Sequence, residues 1–245
     1  MIENREFSDS NCIERSRGFV CVRIDPYETQ AHADWVRKLW RGALTNTVFV
    51  LLEPDGKTPL SRGGRSPEMA IGAPDVFYAK MDEVADDFQP KASVHEAIVP
   101  DALTFRQALN TASCDQRPLV LVSVATESDL ERMEERLRKV AWHPSITGCF
   151  HWDFVADDTE WQKVVSGSTP DHGIIVIQPD KFGLKGDVMA SFDGDESSGA
   201  LITGLKDAFF DFQQKHEAKD YENHRREGKR KGVTFEQELE QKEER

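Results

Sequence analysis

Apolar runs without alternation recur along this chain: VFVLL at 48–52, LVLV at 119–122 and IIVI at 174–177. A strand that is apolar on both faces is covered on both faces, as internal strands are in a sheet layered by helices. Before and between these runs lie segments with apolar residues at helical spacing. At 28–40 they are Trp35, Val36, Leu39 and Trp40; at 128–142 they are Leu130, Met133, Leu137 and Val140. Ser128 or Asp129 is expected to cap the second of these helices, and Asp101 to cap a helix over 101–114. Strands are also predicted at 18–25, 117–125 and 146–155, a short helix at 157–165 and a closing helix at 196–216. The second half therefore reads α-β-α-β-α-β-β-α, and residues 1–88 read α-β-α-β-β-α. Strands alternating with helices predict a parallel sheet with helices on both faces. The last two strands, joined by a short turn, are predicted antiparallel.

The chain has 245 residues, 38% of them hydrophobic, which is enough for one or two domains with real cores. Its formal net charge of -13 argues against nucleic acid as a partner. No apolar run is long enough to cross a bilayer, so no membrane partner is expected. No leader is visible at Met1, which suits a cytoplasmic protein as written; a longer product would leave secretion or the periplasm open. Four cysteines (Cys12, Cys21, Cys114 and Cys149) form no CxxC and no zinc-ligand spacing. Residues 89–100 read as a linker. Residues 215–245 carry nine Lys/Arg and nine Asp/Glu, so the excess negative charge lies upstream. The expected organisation is a domain over 1–88, the linker, a domain over 101–215, and a charged helical or disordered tail over 216–245. Such a tail buries too little apolar surface to add much stability.

Two phrases, TVFVLLEPDGK at 47–57 and GIIVIQPDKFGLKGDV at 173–188, share a strand followed by a Pro-Asp turn. Both resemble the penultimate strand and turn of thioredoxin-like domains. FSDSNCIERSRGFVCVRIDPYE at 7–28 resembles that family's passage from the redox helix to the second core strand, and LNTASCDQRPLVLVSVA at 109–125 its entry into the first core strand. The resemblance implies an α/β fold of two thioredoxin-like domains, each a central mixed sheet flanked by helices. It also implies where a WCxxC motif would stand, since the family's chemistry needs a thiolate at a helix N-terminus and a second, resolving cysteine. In the second domain those positions are taken by Glu127 and Leu130, and the family's cis-proline position falls near His172. In the first domain the cis-proline position falls near Asn46, while the cysteines and the first core strand would lie upstream of Met1. Without that strand, 19–25 and 48–52 lack a shared neighbour. They could pair directly, or self-association through the first domain could supply the missing strand.

These readings predict no catalytic residue, no metal and no cofactor. The expected role is a protein-binding or peptide-binding scaffold on a redox-inactive thioredoxin fold. The alternative is a thiol-disulfide oxidoreductase whose WCxxC lies upstream in a longer product. Other constellations are read as structural. His143, Cys149, His151 and Asp153 are metal-ligand types, the last three at alternating positions of a predicted strand, but their spacing matches no established site. Cys12 has no base or electropositive setting in the sequence. HRREGKRK at 224–231 reads as a solvated extension. The five tryptophans read as core residues.

Overall fold

The computed structural model describes residues 9–22, 24–45, 47–88, 98–102, 104–157, 159–168, 170–215, 220–234 and 239. Asn46 lies outside them. The chain forms two compact units, Met1–Lys91 with Thr234–Arg245, and Ala92–Val233.

The first unit is helical. α1 (Ser10–Ser16) is capped by Asp9, whose side chain accepts from Asn11 N, and α2 (Gln30–Leu39) by Thr29. α3 (Pro67–Ala70) and α4 (Pro74–Asp87) both start with Pro at N1 or N2, where the missing N–H costs no intrahelical bond. Cys12, Phe77 and Met81 form a small buried cluster, with Phe49 edge-on to Phe77 at 5.6 Å. Arg15 ties α1 to α4 through Asp82 (2.9 Å).

Two expected strands are corrected here. The described residues of 18–25 are not in a sheet, and Val20 and Val22 are 77% and 72% exposed. The run at 48–52 is not an internal strand. It pairs with the returning chain through two isolated antiparallel bridges, Phe49 with Gly64 and Leu52 with Pro59. The turn between them forms where Pro54-Asp55-Gly56 predicts it, with Asp55 Oδ1 accepting from Lys57 N (2.7 Å) and Thr58 N (2.9 Å). Among the described residues neither segment joins a multi-stranded sheet, so self-association through a missing central strand finds no support there.

The second unit is α/β. α5 (Phe105–Asp115) leads into β1 (Leu119–Val124), α6 (Glu127–Ala141) and β2 (His151–Ala156). A 3-10 turn at Glu160–Lys163 and a two-residue β3 (Val165–Ser166) replace the helix expected at 157–165. β4 (Gly173–Pro179), β5 (Gly186–Phe192) and α7 (Ser198–Lys215) follow. The sheet order is β2-β1-β4-β5-β3, with β1 parallel to β2 and antiparallel to β4. β1 and β4 divide their side chains between two cores. Val120, Val122, Ile174 and Val176 meet α6 and α7 on one face. Leu119, Leu121, Ile175 and Ile177 meet α5 and Trp161 on the other. That two-sided burial is why both strands are apolar throughout. The caps differ from expectation. Thr104 and Thr126, not Asp101 and Ser128 or Asp129, cap α5 and α6, each hydroxyl accepting from the backbone N three residues on.

The chain past α7 is not wholly an extension. α8 (Tyr221–Arg230) lies on the β4–β5 turn. His224 stacks on Phe182 with ring centroids 4.8 Å apart, and Lys231 sits 5.3 Å over the same ring. Lys181 and Lys231 both pair with Glu227, and they pull its carboxyl from the ordinary 4.5 down to about 2. Residues 221–231 thus make contacts with the body that a solvated extension would lack. Because the folded value lies below the unfolded one, the clamp's contribution is complete above pH 4.5 and is lost as pH falls towards about 2. We expect the gap in melting temperature between the natural chain and Glu227→Gln to be constant near neutrality and to close across that window. A gap that persists unchanged to the acid end would contradict the clamp.

Candidate functional site

A cleft of about 450 Å³ opens where three elements of the second unit converge. The C-terminal end of β1 contributes Ser123 and Val124, α6 contributes Asp129, Arg132, Met133 and Arg136, and the entry to β4 contributes His172 and Gly173. Ala125 and Gly194 complete the rim. The convergence follows from topology. Ser123 is in register with Gly173 across the β1–β4 pair, and α6 begins three residues after β1 ends.

The walls are held by polar contacts. Buried Ser123 donates its hydroxyl to Asp171 O (3.4 Å), fixing the loop before β4 against β1. Thr126 Oγ1 receives the Asp129 N–H (3.2 Å) and donates to Asp129 Oδ2 (2.6 Å). The Thr126 hydroxyl first, then Arg132, hold the Asp129 carboxyl below the ordinary carboxylate range. Asp129 is therefore ionised near neutrality and matched by Arg132 on the same helix. Arg136 donates to the Glu196 carbonyl and so fastens the loop after β5 to α6. Exposed Asp193 and Asp195 lie on that loop, so the rim carries both signs of charge. The floor is softer: Met133 is partly buried against the main core.

The sequence-derived positions divide. His172 reaches the cleft rim. Glu127 is exposed on the first turn of α6, and Leu130 is partly buried against the main core. The polar cleft residues that the sequence reading did not single out are Ser123, Arg132 and Arg136. A spacing was available to find two of them: Asp129, Arg132 and Arg136 follow one helix face at i, i+3 and i+7.

Among the described residues no group of three or more metal-ligand side chains converges. His143 accepts from, or donates to, Ser145 Oγ at 2.7 Å in a turn. His151 Nε2 meets Asp115 Oδ2 at 3.0 Å at the far end of β2. Cys149 lies in the turn before that strand, with Sγ 3.7 Å from Ser145 O. Asp153 is buried and hydrogen-bonds Asp101, which also accepts from Phe154 N (3.1 Å). Desolvation raises the Asp101 carboxyl above its ordinary range. Asp153 borders a smaller cleft of about 270 Å³ with Thr104 and Phe105.

The two thiols of the second unit stand apart from its main cleft. Cys114 and Cys149 both precede strands that start in register at Leu119 and His151, whereas the cleft lies at the other end of β1. A six-residue strand separates the two ends, about 17 Å. No family model, no curated protein and no solved structure matches this chain.

Proposed function

We propose that the second unit is a redox-inactive thioredoxin-like domain and that its main cleft binds an extended peptide segment of a partner protein. The strand order β2-β1-β4-β5, with β1 parallel to β2 and β4 antiparallel to both its neighbours, supports the fold reading. The observation that carries the function is the cleft's composition. It sits at the N-terminal end of the helix that follows the central strand, where the family places its cysteines, and its walls are Ser123, Asp129, Arg132, Met133, Arg136 and His172. This set has no nucleophile activated by a base. It has an apolar floor, which adapts to side chains, and separate cationic and anionic edges, which can fix the register of a bound segment.

Two outcomes test the proposal. Peptides selected from a random linear library on the full chain are expected to bind with micromolar affinity. Ala125→Trp, which places bulk at the exposed rim, is expected to weaken them at least about tenfold, or ~1.4 kcal/mol. Selected peptides that ignore Ala125→Trp would place recognition elsewhere. Insulin reduction by dithiothreitol is expected to run no faster with the chain than with a version whose four cysteines are Ser. A rate that depends on any one cysteine would defeat the redox-inactive reading.

A further inference from the structure

The docked C-terminal helix is not used by the cleft, and its packing sorts charge in a way the sequence does not reveal. Residues 220–234 hold five Lys/Arg and three Asp/Glu. Two of the acids are engaged within the fold. Asp220 caps α8, its Oδ1 accepting from Asn223 N (3.2 Å). Glu227 turns to Lys181 and Lys231. His224, Glu227 and Gly228 form the covered face, and Phe182 lies so close that a side chain at Gly228 would meet its ring at 3.4 Å. The remaining cations, Arg225, Arg226, Lys229 and Arg230, are all exposed. Glu222 faces one of them, 3.8 Å from Arg226.

Arg225 with Lys229, and Arg226 with Arg230, are neighbours one turn apart, an arrangement that costs a free helix a few tenths of a kcal/mol per pair. The fold holds this stripe in place rather than letting it disperse. We propose that the outward face of α8 is a docking surface for a short acidic segment of another protein, whose carboxylates are received by Arg225, Arg226, Lys229 and Arg230. Charge complementarity selects the class. Guanidinium groups pair with carboxylates through two parallel hydrogen bonds. The stripe is short, since a ten-residue helix spans about 15 Å. The chain as a whole carries -13, so a long polyanion with one charge per ~1.7 Å would run from the stripe onto repelling surface. A segment of a few Asp and Glu residues ends where the stripe ends.

The test is fluorescence anisotropy of fluorescein-labelled octaglutamate with the full chain at about 50 mM and about 500 mM NaCl. Saturable binding is expected at low salt, weakened at least about tenfold at high salt. The variant R225Q/R226Q/K229Q/R230Q is expected to lose at least about tenfold, whereas R225K/R226K/R230K, which keeps the charge but not the paired donors, is expected to lose less than the glutamine variant but measurably more than nothing. Should the glutamine variant lose its melting transition, Arg225→Gln and Lys229→Gln alone are each expected to cost roughly two- to fivefold. Absence of saturable binding to the natural chain, or equal binding by the glutamine variants, overturns the proposal. So does a DNA duplex of about 20 base pairs that displaces the peptide and binds more tightly through the same four residues, which would assign the surface to nucleic acid.

Discussion

Expressed alone, residues 98–233 are expected to melt cooperatively as a monomer, and residues 1–88 are not. The whole five-stranded sheet lies within 119–192, and both of its cores are built from the same unit. Those cores include Leu119, Leu121, Ile174, Ile175, Ile177, Leu201 and Leu205, each fully buried. At about 25 cal/mol per Å² of apolar surface, each such side chain contributes about 1.5–3 kcal/mol. The first unit has much less to set against its ordering entropy. Its described cluster is Cys12, Phe77 and Met81, and its β pairing is two isolated bridges. A unit of that length is marginal even with a full core. Circular dichroism melting and sedimentation of the two fragments give the answer. A cooperative, monomeric transition from 1–88 would show that a three-residue cluster and its helix contacts suffice.

Gly183→Ala is expected to lower the melting temperature by roughly 10–20 °C, and Gly56→Ala by only a few degrees. The two glycines close the two Pro-Asp turns that look alike in sequence. Both have positive φ, 67° for Gly183 and 66° for Gly56, so alanine at either adopts the left-handed region at about 1–2 kcal/mol. Their surroundings differ. A Cβ on Gly183 would stand 2.5 Å from Asn110 Cα and 2.9 Å from Leu109 O, which are backbone atoms of α5. The turn cannot retreat, because Ser113 Oγ donates to Asp180 O (2.8 Å) and Asn110 Nδ2 to Phe182 O (3.3 Å). Overpacking of this kind adds about 1–3 kcal/mol. At Gly56 nothing lies within 4 Å. Thermal melts of the two single variants decide it, and equal losses would mean that the turn is not pressed against α5.

The same pair shows where sequence stops being informative. The turn chemistry is local, so Pro54-Asp55-Gly56 and Pro179-Asp180 announce themselves. What each turn packs against depends on residues far away in the chain. β1 and β4 were legible because both faces are buried, which leaves no room for a polar residue. The same logic misleads at 18–25, where Val20 and Val22 face solvent: strand preference is mostly a preference for a packed pleated surface, and none is provided there. The caps fell two or three residues away from the expected ones because other residues that cap well stand close by: Asp101 before Thr104, and Ser128 and Asp129 after Thr126. At the cleft, His172 was reachable through a family resemblance, whereas Arg132 and Arg136 look like any charged helix surface until β4 is laid beside them. α8 illustrates the limit for charge. Counting acids and bases gives a neutral tail, but docking on Phe182 decides which of them face out.

The most direct test of the peptide-binding reading is amide chemical-shift mapping on the full chain, titrated with a peptide selected as above. The account expects the largest shifts at Ser123–Ala125, at Asp129–Met133, at His172 and Gly173 and at Gly194, saturating together. Shifts centred instead on the smaller cleft at Thr104, Phe105 and Asp153, or on the first unit, with the β1–β4 entry unmoved, would contradict it.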